Sequence, residues 1–538
     1  MRLIPKQRVT WLIVCLLACV VPILAGACGS REDGKPVGGT VVIGLLGDPE
    51  TLNPLVATTV ESKDIINLVY MRLLDEQADF ISFKPKLAKS WEFSRDSLSI
   101  TFSLREDVLW EDGVPFTAAD VRYTWELQTD TTVAWASRHL KDRIEDVEVV
   151  DDFTVVFHFT NRYLYQLMDA NDGVILPKHV VEKIPRAEFR TSKFGRDPVG
   201  NGPFRLARWV SGQYVELERN PNYFEGERPY LDGVVYRIVP DMTTLVTQLK
   251  TGEIDCLESV PNDALPGVRR DNPDIKIYSY PSRDYTFVVW NLKKPLFENA
   301  EVRRALAMAV DVQEMIETLW GGMAQPMNSP MHPILWAHDP TIKRIEFDPG
   351  RAKKILAAQG WVDRDGDGFI EKDGEPFEFE MTTNQGNQLR ADIATMCQEY
   401  FRHVGIRATI RMMEWNTFIQ WVIAGEFDSC VLGWGVGTRA DLTNLWKSTS
   451  RPPGGLNVSG FASPAVDSLI DRAKNKLGPT EAQPLWYRCQ RIIYDDQPFL
   501  FLTVPHEVVG LNRRIQGVEP NAIGFFVNLP DWYVGERE

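Results

Sequence analysis

Cysteine is scarce in this sequence. Seven cysteines occur among 538 residues, no two stand in a C-x-x-C spacing, and three fall within the first 28 residues. The other four are Cys256, Cys397, Cys430 and Cys489. Such wide spacing argues against a zinc site built from one segment. It leaves open whether these residues form one or two disulfides or are small buried apolar side chains.

The motifs of several enzyme classes are also absent. There is no G-x-S-x-G elbow, no H-E-x-x-H, no G-x-x-x-x-G-K-[ST] loop, and no G-x-G-x-x-G between a strand and a helix. The seven histidines are scattered, and none lies within one helical turn of another histidine or a cysteine. A catalytic or zinc site would need groups from distant segments. This favours binding over turnover.

Positive charge is in deficit: 59 lysines and arginines stand against 74 aspartates and glutamates, a formal charge of −15. Removal of an N-terminal leader carrying Arg2, Lys6 and Arg8 brings the charge to about −18. A chain this acidic argues against partners such as nucleic acid or an anionic membrane surface. Tryptophan, in contrast, is plentiful at 16 residues, and large aromatic side chains serve both cores and ligand-binding surfaces.

The N-terminus predicts export. A basic start is followed by the apolar run "WLIVCLLACVVPIL", which is short for a membrane-spanning helix, and then by "LAGAC" ending at Cys28. Small residues before that cysteine are typical of a lipoprotein signal, although Ala25 stands where leucine is preferred. We expect a signal peptide over 1–27 and lipidation of Cys28. Ordinary cleavage and an uncleaved anchor are the alternatives. The polar, glycine-rich segment 28–39 is then a flexible tether.

The remaining 500 or so residues predict a mixed α/β body of two or three lobes, since one core does not grow so large. No run after the leader approaches the roughly 18 apolar residues of a transmembrane helix. We expect a helix over 65–74, another capped by Thr117 with Asp120 in its first turn, and one long amphipathic helical region in "VRRALAMAVDVQEMIETLW". Asp348, Pro349 and Gly360 mark the start and end of a further helix.

The stretch "DRDGDGFIEKDG" over 363–374 spaces Asp363, Asp365 and Asp367 like the opening of a calcium loop. An EF-hand needs a bidentate glutamate at the twelfth position, which is Gly374 here, and a second helix where "EPFEFEMTT" reads as a strand. The segment is therefore not an EF-hand. A structural turn is one interpretation, and an incidental calcium site formed by the three aspartates is the other.

Several long segments, taken together and in order from about 40 to 515, resemble one family. They are "GDPETLNPL", "KPKLAKSWEFSRDSLSITFSLREDVLWEDGVPFTAADVRYTWE", "GNGPFRLARW", "LERNPNYFEGERPYLDGVVYRIVPD", "LKTGEID", "VWNLKKPLFENAEVRRALAMAVD", "FDPGRAKKILAAQGW", "GWGVGTRADLTNLWKS" and "SPAVDSLIDRA". The chain resembles the extracytoplasmic solute-binding proteins of ABC importers, family 5, which bind oligopeptides, dipeptides or nickel. Asp/Gly turns such as 363–374 are frequent in that family.

The resemblance implies a type II periplasmic-binding-protein fold of two α/β lobes joined by a hinge, with an extra inserted domain. Lobe I would comprise 40–78, 199–282 and 500–538, the inserted domain 79–198, and lobe II 283–499. The ligand would lie in the cleft and be enclosed by hinge closure.

The resemblance also implies binding residues. In peptide-binding members, an "EW" pair and a "GW" pair supply cleft tryptophans, and a carboxylate three residues after the second tryptophan binds the peptide's amino terminus. Trp415 and Trp434 match the tryptophans, Gly435 follows the second, and the carboxylate position is Gly437. An unpaired ammonium buried in a cleft is costly, so this peptide clamp is missing.

Asp441 is the nearest acid to take the place of the clamp, because a sister pattern in the family has its acid there. Arg439 either attracts an anionic group or faces solvent. Backbone groups around Thr58 and Thr59 complete the expected site. These features favour a longer or end-blocked peptide, or a non-peptide solute, over a dipeptide.

We therefore expect a monomeric receptor in the periplasm or at the cell surface, anchored to a membrane by lipid, that delivers a solute to the transmembrane subunits of an ABC permease. We expect no cofactor apart from the incidental calcium, and no catalysis. An extracytoplasmic hydrolase is one alternative, and a peptide chaperone or sensor that uses the same cleft is another.

Overall fold

The computed structural model describes residues 34–535. The expected leader and Cys28 lie outside the described residues. Within this range no helix combines the length and the apolar character needed to cross a membrane. Strands and helices interleave along the chain, and the mixed α/β class expected from the sequence is confirmed.

The strands, in chain order, are β1 (Thr40–Leu45), β2 (Leu74–Glu76), β3 (Phe83–Pro85), β4 (Ala88–Phe93), β5 (Ser99–Leu104), β6 (Ile144–Asp151), β7 (Thr154–Phe159), β8 (Phe204–Val210), β9 (Tyr214–Arg219), β10 (Gly233–Ile238), β11 (Cys256–Leu257), β12 (Ile275–Pro281), β13 (Asp284–Trp290), β14 (Ala324–Pro326), β15 (Glu371–Lys372), β16 (Glu375–Pro376), β17 (Glu378–Asn384), β18 (Arg407–Met413), β19 (Ser429–Gly435), β20 (Phe499–Asn512), β21 (Ile515–Gln516) and β22 (Tyr533–Val534).

The α-helices are α1 (Val60–Val69), α2 (Ala118–Thr129), α3 (Gln166–Asn171), α4 (Lys178–Val181), α5 (Met242–Thr251), α6 (Leu265–Asp271), α7 (Pro295–Glu298), α8 (Ala300–Ala309), α9 (Val312–Trp320), α10 (Pro349–Ala358), α11 (Gln388–His403), α12 (Trp415–Ala424), α13 (Thr443–Trp446), α14 (Pro464–Lys474) and α15 (Pro479–Asp496). Four short 3₁₀ turns are also present, at Arg138–Lys141, Arg186–Thr191, Lys193–Gly195 and Leu529–Asp531.

One long strand, β20, joins two halves of a 12-stranded sheet. Its first residues pair with β13 and its last residues with β12 and β11. The half that contains β8, β9, β10, β1, β11 and β12 belongs to lobe I, and the half that contains β18, β17, β19, β13 and β14 belongs to lobe II. Two segments cross between the lobes, β20 itself and the link between β12 and β13. At the crossing, the Ser282 N–H donates to the Pro505 carbonyl at 2.9 Å.

The direction of the strands places the cleft. In lobe I, β1, β10 and β11 are mutually parallel, and β11 runs antiparallel to β20. In lobe II, β17, β18 and β19 are parallel, and β19 runs antiparallel to β13. The carboxyl ends of both sets therefore point towards the crossing strands and meet there. Ligands of open α/β sheets bind outside the carboxyl ends of the strands, so this meeting point is the natural cleft.

Between α1 and β8 the chain builds a separate antiparallel sheet in the order β4-β5-β7-β6, covered by α2. β5 and β7 alternate buried and partly exposed residues, as the period-2 pattern predicts. The Thr117 N–H donates to the Asp120 carboxylate at 2.9 Å, which confirms the expected start of α2.

Some helix bounds differ from expectation. The helix expected over 65–74 is α1, which starts five residues earlier because the Thr59 hydroxyl caps it, and the chain turns extended at Tyr70. The long region expected near 302–320 is two helices, because Asp311 starts α9 by accepting hydrogen bonds from the next turn. In contrast, α10 begins after Asp348 as expected, and Gly360 follows its end with φ +92°.

All four cysteines of the described chain are buried and free. Burial raises their thiol pKa values, to about 12 for Cys397 and Cys489. Of the two interpretations left open by the sequence, small buried apolar side chains is the correct one for these residues.

Candidate functional site

The carboxyl edge of lobe II carries an exposed tryptophan. Trp415 is the first residue of α12, separated by one residue from the end of β18, and 45% of its surface is exposed. Glu414 fixes the start of this helix by accepting a hydrogen bond from the Thr417 N–H at 3.0 Å. An indole this exposed at a strand's carboxyl end offers a large apolar contact for a ligand.

Trp434 lies near the end of β19, half-buried, opposite Tyr285 of β13. The next residue, Gly435, pairs with Asp284, and a Cβ at Gly435 would lie 2.7 Å from the Asp284 Oδ1. The glycine therefore leaves room for this carboxylate at the crossing between the lobes. The strand pairing explains why glycine follows tryptophan here.

Arg390 was missed by sequence reasoning. It lies in the first turn of α11, its Nη1 donates to the Asn384 Oδ1 at 2.8 Å, and its guanidinium carbon is 5.6 Å from the centre of the Trp415 ring. Burial lowers its pKa. Within residues 34–535 no carboxylate forms an ion pair with it, so its charge is available to an anionic group in the cleft. No local motif marks it, because its placement depends on the parallel pairing of β17 and β18.

The expected clamp position, Gly437, is open, because nothing lies within 4 Å of a Cβ added there. Asp441 is occupied: its carboxylate accepts from the Thr443 N–H at 2.8 Å and lies 3.0 Å from the Lys474 Nζ. As placed, Asp441 is committed to this ion pair and to the start of α13.

Thr58 and Thr59 shape the loop before α1. The Thr58 N–H and hydroxyl both donate to a Glu50 carboxylate oxygen, at 3.0 and 2.8 Å, and these bonds lower the pKa of Glu50. The Thr59 hydroxyl accepts from the Ser62 N–H at 3.4 Å. Both side chains thus stabilise the loop. The Thr58 N–H already donates to Glu50, so it is not available to a ligand.

Arg439 takes neither of the two roles considered from the sequence. Its Nη2 lies 2.5 Å from the Asp169 carboxylate, in α3, and 3.3 Å from the carboxylate of Asp172, which directly follows α3. The Tyr165 hydroxyl donates to the Ala440 carbonyl at 2.5 Å beside this pair. These contacts fasten the loop after β19 to the α3 segment.

The turn at 363–374 lies on the outer surface of lobe II. The Asp363 carboxylate accepts from the Gly366 and Gly368 N–H groups at 2.7 and 3.0 Å, and Asp365 and Asp367 each accept from one N–H. Asp363, Asp365 and Glu371 bring ligand atoms within 4.8 Å of one another, whereas Asp367 faces Arg407 at 3.6 Å. The three aspartates stabilise the turn by accepting backbone hydrogen bonds. The possible cation site consists of Asp363, Asp365 and Glu371, and the expected third aspartate, Asp367, does not belong to it.

Comparison with known proteins agrees with this architecture. A family model described as "Bacterial extracellular solute-binding proteins, family 5 Middle" matches residues 82–455. The oligopeptide-binding protein AppA of Bacillus subtilis is 30% identical over 547 residues, which cover 99% of this chain and 100% of that protein. The structure of AppA in complex with a nonapeptide covers 93% of this chain and 99% of its own, with a TM-score of 0.71. NikZ from Campylobacter jejuni, in complex with Ni(L-His), is 27% identical, with a TM-score of 0.72 over 92% of this chain and 99% of its own.

Two lobes, two crossing segments and a cleft between strand ends define a hinged binding protein. The chain belongs to the family 5 bacterial extracellular solute-binding proteins, the binding components of ABC importers, and the resemblance seen in the sequence is confirmed. Members of this family are extracytoplasmic and are substrate-binding proteins rather than enzymes.

Proposed function

We propose that this protein captures a peptide in the cleft and delivers it to the transmembrane subunits of an ABC permease. The observation that carries the proposal is the convergence of both sets of strand ends on one cleft, where the Arg390 guanidinium lies over the Trp415 ring and Trp434 stands near the end of β19. Aromatic faces suit peptide side chains, and an Arg without an ion-pair partner suits a peptide carboxylate. The similarity to AppA supports the same ligand class.

The peptide is longer than a dipeptide or is end-blocked. At Gly437, the position where the family resemblance implies an amino-terminal clamp, there is no side chain, and Asp441 is paired with Lys474. A free ammonium at that place would remain without a carboxylate partner, which is costly in a closed cleft.

The wider assignment follows the sequence expectations. Lobe I comprises 40–78, 199–282 and 500–538, the inserted domain 79–198, and lobe II 283–499. The protein acts as a monomer, is anchored by lipid at Cys28 in the periplasm or at the cell surface, and binds no nucleic acid. It returns its ligand unchanged, with no cofactor.

Native mass spectrometry of the purified protein identifies any co-purified ligand, and titration calorimetry with synthetic peptides then measures affinity. We expect nonapeptides to bind in the micromolar range or tighter and to be recovered intact after incubation. Recovery of cleaved peptide would identify a hydrolase and contradict the receptor proposal. Absence of binding to every peptide length would contradict the ligand class.

A further inference from the structure

A group of acids lies at the carboxyl edge of lobe I, opposite the tryptophans. Asp64 is on α1, Glu258 follows the end of β11, and Glu507 is on β20 just past the crossing. All three side chains are half-buried. Within the described chain none of them forms a salt bridge, and the only hydrogen bond to any of them is from the Ser259 hydroxyl to Glu507, at 3.5 Å.

The strand pairing brings these acids over one patch of the sheet. Across the lobe I sheet, Tyr236 stands opposite Ile43 and Ile43 opposite Cys256, so the three share a face. Glu258 comes two residues after Cys256. On the crossing strand, Glu507 stands opposite Tyr280. Tyr236 therefore lies on the same face of the sheet as Glu258, and Tyr280 lies beside Glu507.

The carboxylates are close enough to repel one another. Burial first, and then the negative charges of Asp64, Glu507 and Glu61, raise the pKa of Glu258 to about 8. Burial and Glu61 raise the pKa of Asp64 to about 7, against the single nearby cation Lys63. Burial and Asp284 raise the pKa of Glu507. Each of these carboxyls is therefore harder to ionise than an exposed one, because no cation lies beside it to offset burial and mutual repulsion.

A second observation points to a missing partner. Tyr236 is fully buried, and its hydroxyl has no hydrogen-bond partner. Its pKa lies well above its ordinary value because of burial and then the charges of Asp64 and Glu258, so the hydroxyl lies within electrostatic reach of both carboxylates. An unpartnered buried hydroxyl is unfavourable, and a bound group beside these acids would give it a partner.

The spacing selects the kind of cation. A metal ion needs three or more ligand atoms of acids, histidines or cysteines close together. In residues 34–535 only Asp363, Asp365 and Glu371 bring such atoms within 4.8 Å of one another. As placed, the carboxylates of Asp64, Glu258 and Glu507 do not converge on one point, so they do not form a compact metal site. An ammonium or guanidinium on a flexible side chain donates several hydrogen bonds and so needs only two of these carboxylates, and it is attracted to aromatic faces such as that of Tyr280.

We propose that Asp64, Glu258 and Glu507, with the Tyr236 hydroxyl, form a subsite for a cationic side chain of the bound peptide, lysine or arginine. Asp284 lies within electrostatic reach of Glu507 and pairs with Gly435, the residue after Trp434, so it lies between this subsite and Trp434 of lobe II. The inference rests on the proposed peptide-binding function. It adds a preference for cationic peptides, which suits the acidic surface of the chain.

The test compares end-blocked nonapeptides that differ only in a central lysine, glutamine or glutamate. Titration calorimetry at pH 7 is expected to show the lysine peptide binding about 10- to 100-fold more tightly than the glutamine peptide. Buffers of different ionisation enthalpy should reveal release of about one proton on binding, since the cation displaces it. Glu258→Gln and Asp64→Asn should each abolish most of the preference without weakening the glutamine peptide.

Glu111→Gln is the matched control. Glu111 is also half-buried with a pKa raised to about 7 by burial, but it lies in the inserted domain beside Gly200. This variant should keep the preference for lysine. Neutral variants of the patch remove repulsion, so they are expected to fold.

A second probe separates the two proposals. n-Butylammonium chloride at about 10 mM should raise the melting temperature of the wild type by about 1–3 °C over sodium chloride, and should leave Glu258→Gln unchanged. If peptides bind without charge preference, the cationic subsite is wrong and the receptor function stands. If no peptide binds but butylammonium stabilises the wild type alone, the subsite stands and the peptide assignment falls. Stabilisation by Mg²⁺ or Ca²⁺ in place of butylammonium, lost in Glu258→Gln, would overturn the organic-cation assignment.

Discussion

Arg439 of lobe II and Asp169 of helix α3 are joined by an ion pair, with the Arg439 Nη2 2.5 Å from the Asp169 Oδ1. Asp169 also accepts a hydrogen bond from the Tyr163 hydroxyl at 2.6 Å, and burial raises its pKa despite these partners. We expect cleft opening to separate the two members of this pair, so that the pair favours the ligand-bound arrangement.

Arg439→Ala should therefore favour the open form. We expect the ligand affinity to fall about 5- to 30-fold, corresponding to about 1–2 kcal/mol, mainly through faster dissociation. Small-angle scattering of the liganded wild type should show a smaller radius of gyration than the free protein, and this decrease should shrink in the variant at equal ligand concentration.

Arg402→Ala provides the control, because Arg402 pairs with Glu399 at 2.7 Å on the exposed face of α11. Exposed ion pairs of this kind contribute little to stability, so the ligand affinity of Arg402→Ala should equal that of the wild type. Equal affinities of Arg439→Ala and wild type would show that the ion pair does not act as a latch. An unchanged radius on confirmed binding would contradict hinge closure.

Trp415→Ala should weaken ligand binding without unfolding the protein. The side chain is 45% exposed, so its removal should change the free energy of unfolding by less than about 0.5 kcal/mol. As an aromatic anchor in the cleft, it should contribute about 2 kcal/mol or more to binding, about a 30-fold change in calorimetric affinity. Trp434→Ala should also lose binding.

Phe93→Ala is the comparison for Trp415→Ala, since Phe93 is 42% exposed on β4 of the separate four-stranded sheet. It should bind ligand as the wild type does. If Trp434→Ala binds ligand as tightly as the wild type, the assignment of Trp434 to the ligand site is incorrect.

The sequence predicted elements whose signals are local. Capping residues such as Asp348 and the alternation in β5 are properties of a few neighbouring positions, and the structure agrees with them. Arg390, Glu258 and Glu507 carried no such signal. They become neighbours of the site only when strand ends from both lobes converge, a property of topology and not of spacing. The role of Arg439 was missed for the same reason, since its partners are about 270 residues away.

The stability of the ligand-free protein should decrease as pH rises from about 5 to 8. The pKa values of Asp64 and Glu258 are raised to about 7 and 8 in the folded state, whereas unfolded carboxyls titrate near 4. In this window the folded state holds more protons than the unfolded state, so stability falls with rising pH. Urea unfolding at pH 5.5, 7 and 8.5 measures this slope.

The double substitution Asp64→Asn with Glu258→Gln should flatten that slope and remove several kcal/mol of the decrease over the window, since each pH unit over which one extra proton stays bound contributes about 1.4 kcal/mol. All other titrating groups are common to both proteins, so the difference between the two curves isolates these acids. Parallel curves would show that the two carboxyls titrate normally in the folded protein.

Calcium should be dispensable for ligand binding. Asp365→Ala removes one acceptor of a backbone N–H in the turn, and should lower stability by at most about 1 kcal/mol while leaving ligand affinity unchanged. Asp363→Ala removes an acceptor of two N–H groups and should lower the stability further. Melting temperatures with calcium and with a chelator test the cation directly. A large loss of ligand affinity in Asp365→Ala would contradict the structural-turn interpretation.

Cys28 should anchor the protein to a membrane. The basic start, the short apolar run and the small residues before Cys28 predict that its thiol receives the lipid after export. Cys28→Ala should shift the protein from the membrane fraction to the soluble extracytoplasmic fraction, since one or two lipid chains are the only expected attachment. Cys19→Ala, which changes a cysteine inside the apolar run, should remain with the membrane. A mass increase on the N-terminal peptide of the wild type, absent in Cys28→Ala, would identify the lipid. Persistent membrane association of Cys28→Ala, with the leader still attached, would instead indicate an uncleaved anchor.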